Sequence, residues 1–106
     1  MPTLTPQQTA ILERLLARGF VPSSFPLYPN CIGMTRGNCA ALLVPEGENR
    51  LRLFGEASYI VDGQLSVRVV RGGQDLYVWK RKELAVTPQR EAEIEAFRRD
   101  LLALLA

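Results

Sequence analysis

This chain contains no histidine. That excludes a Ser-His-Asp triad, a Cys-His dyad and any imidazole-ligated metal. Two cysteines are too few for an all-cysteine structural zinc site. Only a carboxylate metal site stays open, and no cofactor is implied. Lys80 and Lys82 are the sole lysines. Neither has an acid two residues before it, so the carboxylate-x-lysine signature of one nuclease class is missing. Long apolar runs are missing too. The longest, residues 39–44 and 101–106, have six residues each, against the ~20 a membrane-spanning helix needs. The first fifteen residues lack the basic start and apolar stretch of a signal peptide. The expectation is a cytoplasmic protein with no membrane association and with Cys31 and Cys39 reduced.

What is present suits one folded domain over residues 1–106, with 47% hydrophobic and 23% charged residues. Thr5-Pro6-Gln7-Gln8 reads as a capping box with Pro at the first helical position. Ala10, Ile11, Leu12, Leu15 and Leu16 supply a helical stripe, and Gly19 is a natural stop; the helix is expected over about 5–18. Residues 20–30 hold three prolines among Phe20, Phe25, Leu27 and Tyr28, which predicts an extended arm lying on the core. Thr87-Pro88 opens a second helix at about 88–105, with Ile94, Phe97, Leu101, Leu104 and Leu105 on one face. Its apolar end, residues 101–106, either tucks into the core or pairs with a second subunit.

From 31 to 86 the hydrophobic period is two. Asp62-Gly63 and Gly72-Gly73 mark hairpin turns, and Gly55 marks a bulge or bend. Strands are expected at 31–35, 38–44, 50–54, 57–61, 64–71 and 74–82. The fold class is therefore α+β: an antiparallel meander sheet of about five to six strands, flanked by an N-terminal and a C-terminal helix.

The two short turns fix a register. Val69 faces Leu76, Val67 faces Val78, Arg68 faces Tyr77, Ile60 faces Leu65, and Tyr59 faces Ser66. Alternation then sorts the side chains onto two faces. Ser58, Ile60, Leu65, Val67, Val69, Leu76 and Val78 form an expected core face. Tyr59, Ser66, Arg68, Tyr77, Trp79 and Arg81 form an aromatic and basic face. That second face is covered by a helix, meets a protein partner such as another copy of the chain, or stacks single-stranded nucleic acid. Segment 64–82 is basic and segment 46–63 acidic, which places any acidic partner near the final hairpin.

Other motifs carry less. Pro26 and Pro29 match PxxP literally. Gly33 to Asn38 lacks the spacing of a phosphate-binding loop. Cys31 and Cys39, eight apart around a turn expected near Thr35, would form a redox pair if they faced each other, but two buried free thiols fit the compartment better. With no catalytic motif, the sequence leans away from an enzyme. It points to a small non-catalytic binding or interaction module that self-associates through the aromatic-basic face or the C-terminal helix. Single-stranded nucleic-acid binding on Tyr59, Arg68, Tyr77, Trp79 and Arg81 is the alternative.

Overall fold

The computed structural model describes residues 3–105; Ala106, the end of the apolar tail, lies outside them, as do Met1 and Pro2. The capping box forms as the sequence predicts: Thr5 Oγ1 accepts from the Gln8 amide, and Gln8 Oε1 accepts from Thr5 N–H at 3.0 Å. It opens α1 (Pro6–Ala17), which ends at Gly19 with φ 88°. Gln8 also reaches beyond its helix. Its buried amide donates to the carbonyls of Gly47 and Arg50, each at 3.0 Å, and so staples α1 to the turn at residues 47–50.

Five strands form the first sheet in sequence order: β1 (Val21–Ser23), β2 (Ile32–Arg36), β3 (Cys39–Glu46), β4 (Arg50–Val61) and β5 (Gln64–Leu65). A second sheet holds β6 (Val67–Arg71), β7 (Gln74–Trp79) and β8 (Lys82–Ala85), and α2 (Pro88–Leu105) closes the described chain. All pairings are antiparallel, so the α+β meander flanked by two helices stands. Thr87 caps α2, its Oγ1 accepting from Arg90 N–H at 3.1 Å.

The meander is divided where the sequence suggested continuity, and continuous where it suggested a break. β4 runs unbroken through Gly55. There it carries a bulge: Ala40 pairs with Ser58 and Leu42 with Phe54, so Gly55, Glu56 and Ala57 together oppose Ala41. The expected strand 64–71 breaks at Ser66. Its N–H and its Oγ both donate to the Tyr59 carbonyl, at 3.2 and 2.6 Å, and the Ser58 hydroxyl lies 3.0 Å from the same Oγ. A side chain folded onto the backbone ends the ladder. The expected strand 74–82 also divides. Lys80, with φ 53°, begins a two-residue turn that no glycine or asparagine announces. The arm contributes β1 before crossing the sheet. Gly33 admits it: a Cβ there would meet the Ser23 carbonyl at 2.2 Å and the Phe25 ring at 2.7 Å.

Both faces of the first sheet are covered. One face puts Ile32, Met34, Ala41, Leu43 and Tyr59 against Ile11 and Leu15 of α1 and Phe97 and Leu101 of α2. On this side the Arg36 guanidinium lies 4.5 Å from the Phe20 ring centroid and pairs with Asp100 at 2.9 Å. The other face puts Ala40, Leu42, Ile60 and Leu65 under Phe25 and Tyr28 of the arm. Ser58, Ile60 and Leu65 thus belong to an inner face, as expected, but beneath the arm and not a helix. Val67, expected in the core, is 57% exposed, because the chain has already left the first sheet.

The Gln8 staple is open to a direct test. Gln8→Ala leaves two carbonyls unpartnered and should cost about 1–3 kcal/mol. The neighbouring exposed Gln7→Ala should cost well under that. Urea midpoints of the two variants measure the difference.

Candidate functional site

The aromatic-basic face turns inward. Tyr77 is 1% exposed and Tyr59 is 8% exposed. Their rings stack across the two sheets, with centroids 5.6 Å apart and planes 17° from parallel. The Tyr59 hydroxyl donates to the Glu93 carboxylate of α2 at 3.1 Å, and the Arg90 guanidinium sits 6.0 Å from the Tyr59 ring centroid. Trp79 is half-buried against the same core, with Lys80 Nζ 5.6 Å from its ring. Arg68 remains half-exposed and is held by Asp75 at 3.0 Å and by Glu91. Arg81 is exposed in the β7–β8 turn. The six residues therefore do not form one open row. Ser66, Arg68 and Tyr77 come together; Trp79 and Arg81 stand apart toward the far turn.

Those three residues help to line a cleft of about 780 Å³ at the junction of the sheets. Its other walls are residues 54–58 of β4 and Glu91, Ile94, Glu95 and Arg98 of α2. The volume falls within the range of ligand sites. Three carboxylates and two guanidiniums, Arg68 and Arg98, face one another across it. Tyr77 brings the one buried side-chain polar atom without a hydrogen-bond partner among the described residues, its hydroxyl.

The cleft exists because β4 has an open edge. β5 pairs only with Ile60 and Val61, and Ser66 then turns away, so among the described residues no strand lies along the outer side of 50–57. Hydrogen-bonding direction alternates along a strand. Ile60 bonds toward β3, to Asn38, and the Tyr59 carbonyl bonds toward β5, to Ser66. Carrying that alternation along β3 past the bulge makes Phe54 and Arg52 face β3, opposite Leu42 and Val44. Leu51 and Leu53 then turn their N–H and C=O groups away from β3; Leu51 is buried, and Leu53 is partly exposed. A second hollow, of about 1250 Å³, continues along this edge. It is lined by residues 49–53, by α1, and by Leu102 and Leu105 of α2. Phe54, 42% exposed, lines the first hollow, and its neighbour Leu53 lines the second.

Phe54 and Arg52 were not singled out in the sequence, and Glu56 was weighed only as one of several turn carboxylates. Arg50 and Arg52 alternate with Leu51 and Leu53, which marks a strand with one covered and one exposed face but carries no signal for an open edge. The cysteines do not meet. The hairpin turns at Gly37-Asn38, and Cys39 pairs with Arg36 while Ile32 pairs with Leu43. Cys31 is thus at the opposite end of the hairpin, roughly 16 Å away at the usual rise per residue. Both are free thiols. Among the described residues no group of three or more Cys, Asp or Glu side chains converges as metal ligands would, and no helix is long and apolar enough to cross a membrane. Comparison with protein-family models, with curated proteins and with solved structures finds no match to this chain.

The buried acids of this region set an alkaline limit. Burial, and then Glu93, push the Cys39 thiol up to about 11. Burial raises both tyrosines, helped at Tyr59 by its bond to Glu93 and at Tyr77 by Glu91. All three groups lose their protons more easily unfolded than folded. Stability is therefore full below about pH 9 and falls as pH rises toward and beyond 11. Urea titrations across that range should show the fall, and it should flatten in Cys39→Ala. Tyr77→Phe should leave stability at pH 7 unchanged or raise it by up to ~1 kcal/mol, since it deletes an unpaired buried hydroxyl.

Proposed function

We propose that this protein is a small non-catalytic binding module that takes an extended segment of a protein partner along the open edge of β4. The observation that carries this reading is that no described strand pairs with the outer side of 50–57, where the partly exposed Leu53 turns its N–H and C=O outward beside two hollows and the exposed Phe54. An open edge is a template for strand addition: the backbone supplies affinity and the flanking hollows supply side-chain specificity. Ser66, Arg68 and Tyr77 serve at the wall of the first hollow, and the apolar end of α2 serves at the second.

The nucleic-acid reading draws less support. Base stacking needs an accessible ring, and Tyr59 and Tyr77 spend theirs on each other. The exposed cations of the β7–β8 turn are the remaining argument for it.

Random peptides displayed on phage and selected on the wild-type protein supply the probe. Selected peptides should lose binding to Leu53→Pro, which removes an N–H from the open edge, provided circular dichroism shows that variant folded. Phe54→Asp, which keeps the backbone, should weaken the same peptides. Equal binding to both variants, or selection of no peptide, overturns the proposal. Quenching of Trp79 by a single-stranded oligonucleotide at low salt, lost at high salt, would replace it with the nucleic-acid reading.

A further inference from the structure

The first hollow carries the chemistry to hold one class of side chain. Its walls bring Glu56 from β4 and Glu91 and Glu95 from α2, against Arg68 and Arg98. Arg68 is already shared between Asp75 at 3.0 Å and Glu91 at 2.5 Å. Arg98 approaches Glu95 only to 3.9 Å. Glu56 is exposed and has no ion-pair partner among the described residues. Counting Asp75, four carboxylates meet two guanidiniums, so negative charge is in excess. We infer that the first hollow receives a lysine or arginine side chain of the segment added at β4. This inference rests on the strand-addition reading above and names what that segment carries.

The surplus charge asks for a cation, and the lining selects its kind. Among the described residues the carboxylates do not converge as metal ligands would. Between them lie Leu42, Phe54, Leu65, Val67 and Ile94, with Phe54 and Val67 42% and 57% exposed. A bare ion gains nothing from that surface. Lysine and arginine lay an apolar stem along it and keep the charged head among the acids. The Phe54 ring offers its face to the same cation. An anionic group fits poorly, because it would meet three carboxylates while Arg68 is already engaged.

A second observation points to the same occupant. The Tyr77 hydroxyl is buried without a hydrogen-bond partner, and such a group costs stability until it finds one. Tyr77 pairs with Arg68 across β6 and β7 and lines the hollow. Glu91 and Arg68 are the charged groups that act on its hydroxyl most strongly. The unpartnered oxygen is therefore beside the Arg68–Glu91 pair. A cationic N–H that shares Glu91 there would donate to it. Arg68, half exposed, keeps Asp75 when Glu91 is shared.

The segment does not follow β4 through its bulge. At Gly55 the backbone takes φ 71°, and the ladder to β3 is interrupted. From there on, β4 faces α2 across the hollow. The segment pairs at Leu53, and past Phe54 only a side chain continues. Glu56 stands two residues on, about 7 Å at the usual rise. A long basic side chain spans that distance and a short one does not.

The peptides selected on the wild-type protein test this. They should share a lysine or arginine, and replacing it by norleucine should weaken binding about tenfold or more. Glu56→Gln, at an exposed position, should weaken the parent peptide several-fold and leave the norleucine peptide unaffected. Tyr77→Phe should do the same. Peptides that need Leu53 and Phe54 but no basic residue overturn the inference and leave strand addition standing. So does a basic residue whose replacement costs the same in wild type and in both variants. If no peptide is selected, benzamidinium and its neutral isostere benzamide separate the two readings. Amide NMR shifts at 55–58 and 91–95 that saturate with benzamidinium and not with benzamide would sink strand addition and keep the cation site, with a free amidine or amine as its occupant. Equal response to the two, or none, overturns both.

Discussion

The architecture depends on the capture of one carbonyl. The Tyr59 carbonyl accepts both the N–H and the hydroxyl of Ser66. A serine whose side chain bonds back to the main chain competes with the strand ladder. Here it ends β5 after two residues and sends the chain off as β6. A longer β5 would have run along β4 and filled its outer side. The second sheet, the cleft beside it and the open edge of 50–57 are three results of that single departure.

Once the chain has left the first sheet, something must hold the second sheet to it. The stacked Tyr59 and Tyr77 rings do this, with α2 fastened across the joint. Glu93 takes the Tyr59 hydroxyl, Glu91 takes Arg68 of β6, and Arg90 donates to the Ala85 carbonyl at the end of β8. The first turns of α2 thus touch both sheets through polar side chains. Its later turns enter the apolar core through Phe97 and Leu101. The helix that encloses the core also forms one wall of the cleft.

The sequence made the local geometry legible wherever a residue type has one conformational use. Thr5, Gln8, Gly19 and Thr87 mark helix ends, and they act so. Asp62-Gly63 and Gly72-Gly73 set registers that hold pair by pair. Gly55 marks the bulge. What stayed hidden was decided by tertiary bonds. Ser66 looks like an ordinary strand residue until its hydroxyl finds the Tyr59 carbonyl. Lys80 adopts a left-handed backbone that its side chain does not favour, so its turn had no signal. The aromatic-basic row was read as one face, and the structure divides it between two sheets and the β7–β8 turn. Which way that face points depends on where α2 lies, and alternation in a strand is silent on that. The edge of β4 was missed for a related reason: openness is a property of neighbours that left, not of the strand itself.

The Gln8 staple and the α1–α2 contact have a consequence for how the chain is made. The apolar stripe of α1 is covered by residues far along the polypeptide. Gln8 waits for Gly47 and Arg50, and Arg14 bonds to the carbonyl of Leu104, ninety positions later. A ribosome releases the first helix long before any of these partners exists. Until the first sheet emerges, Ile11 and Leu15 have no native surface to join, and until the final helix follows, that surface is incomplete. The nascent first helix is then a stretch to be shielded until its partners at 47–50 and 104 have emerged.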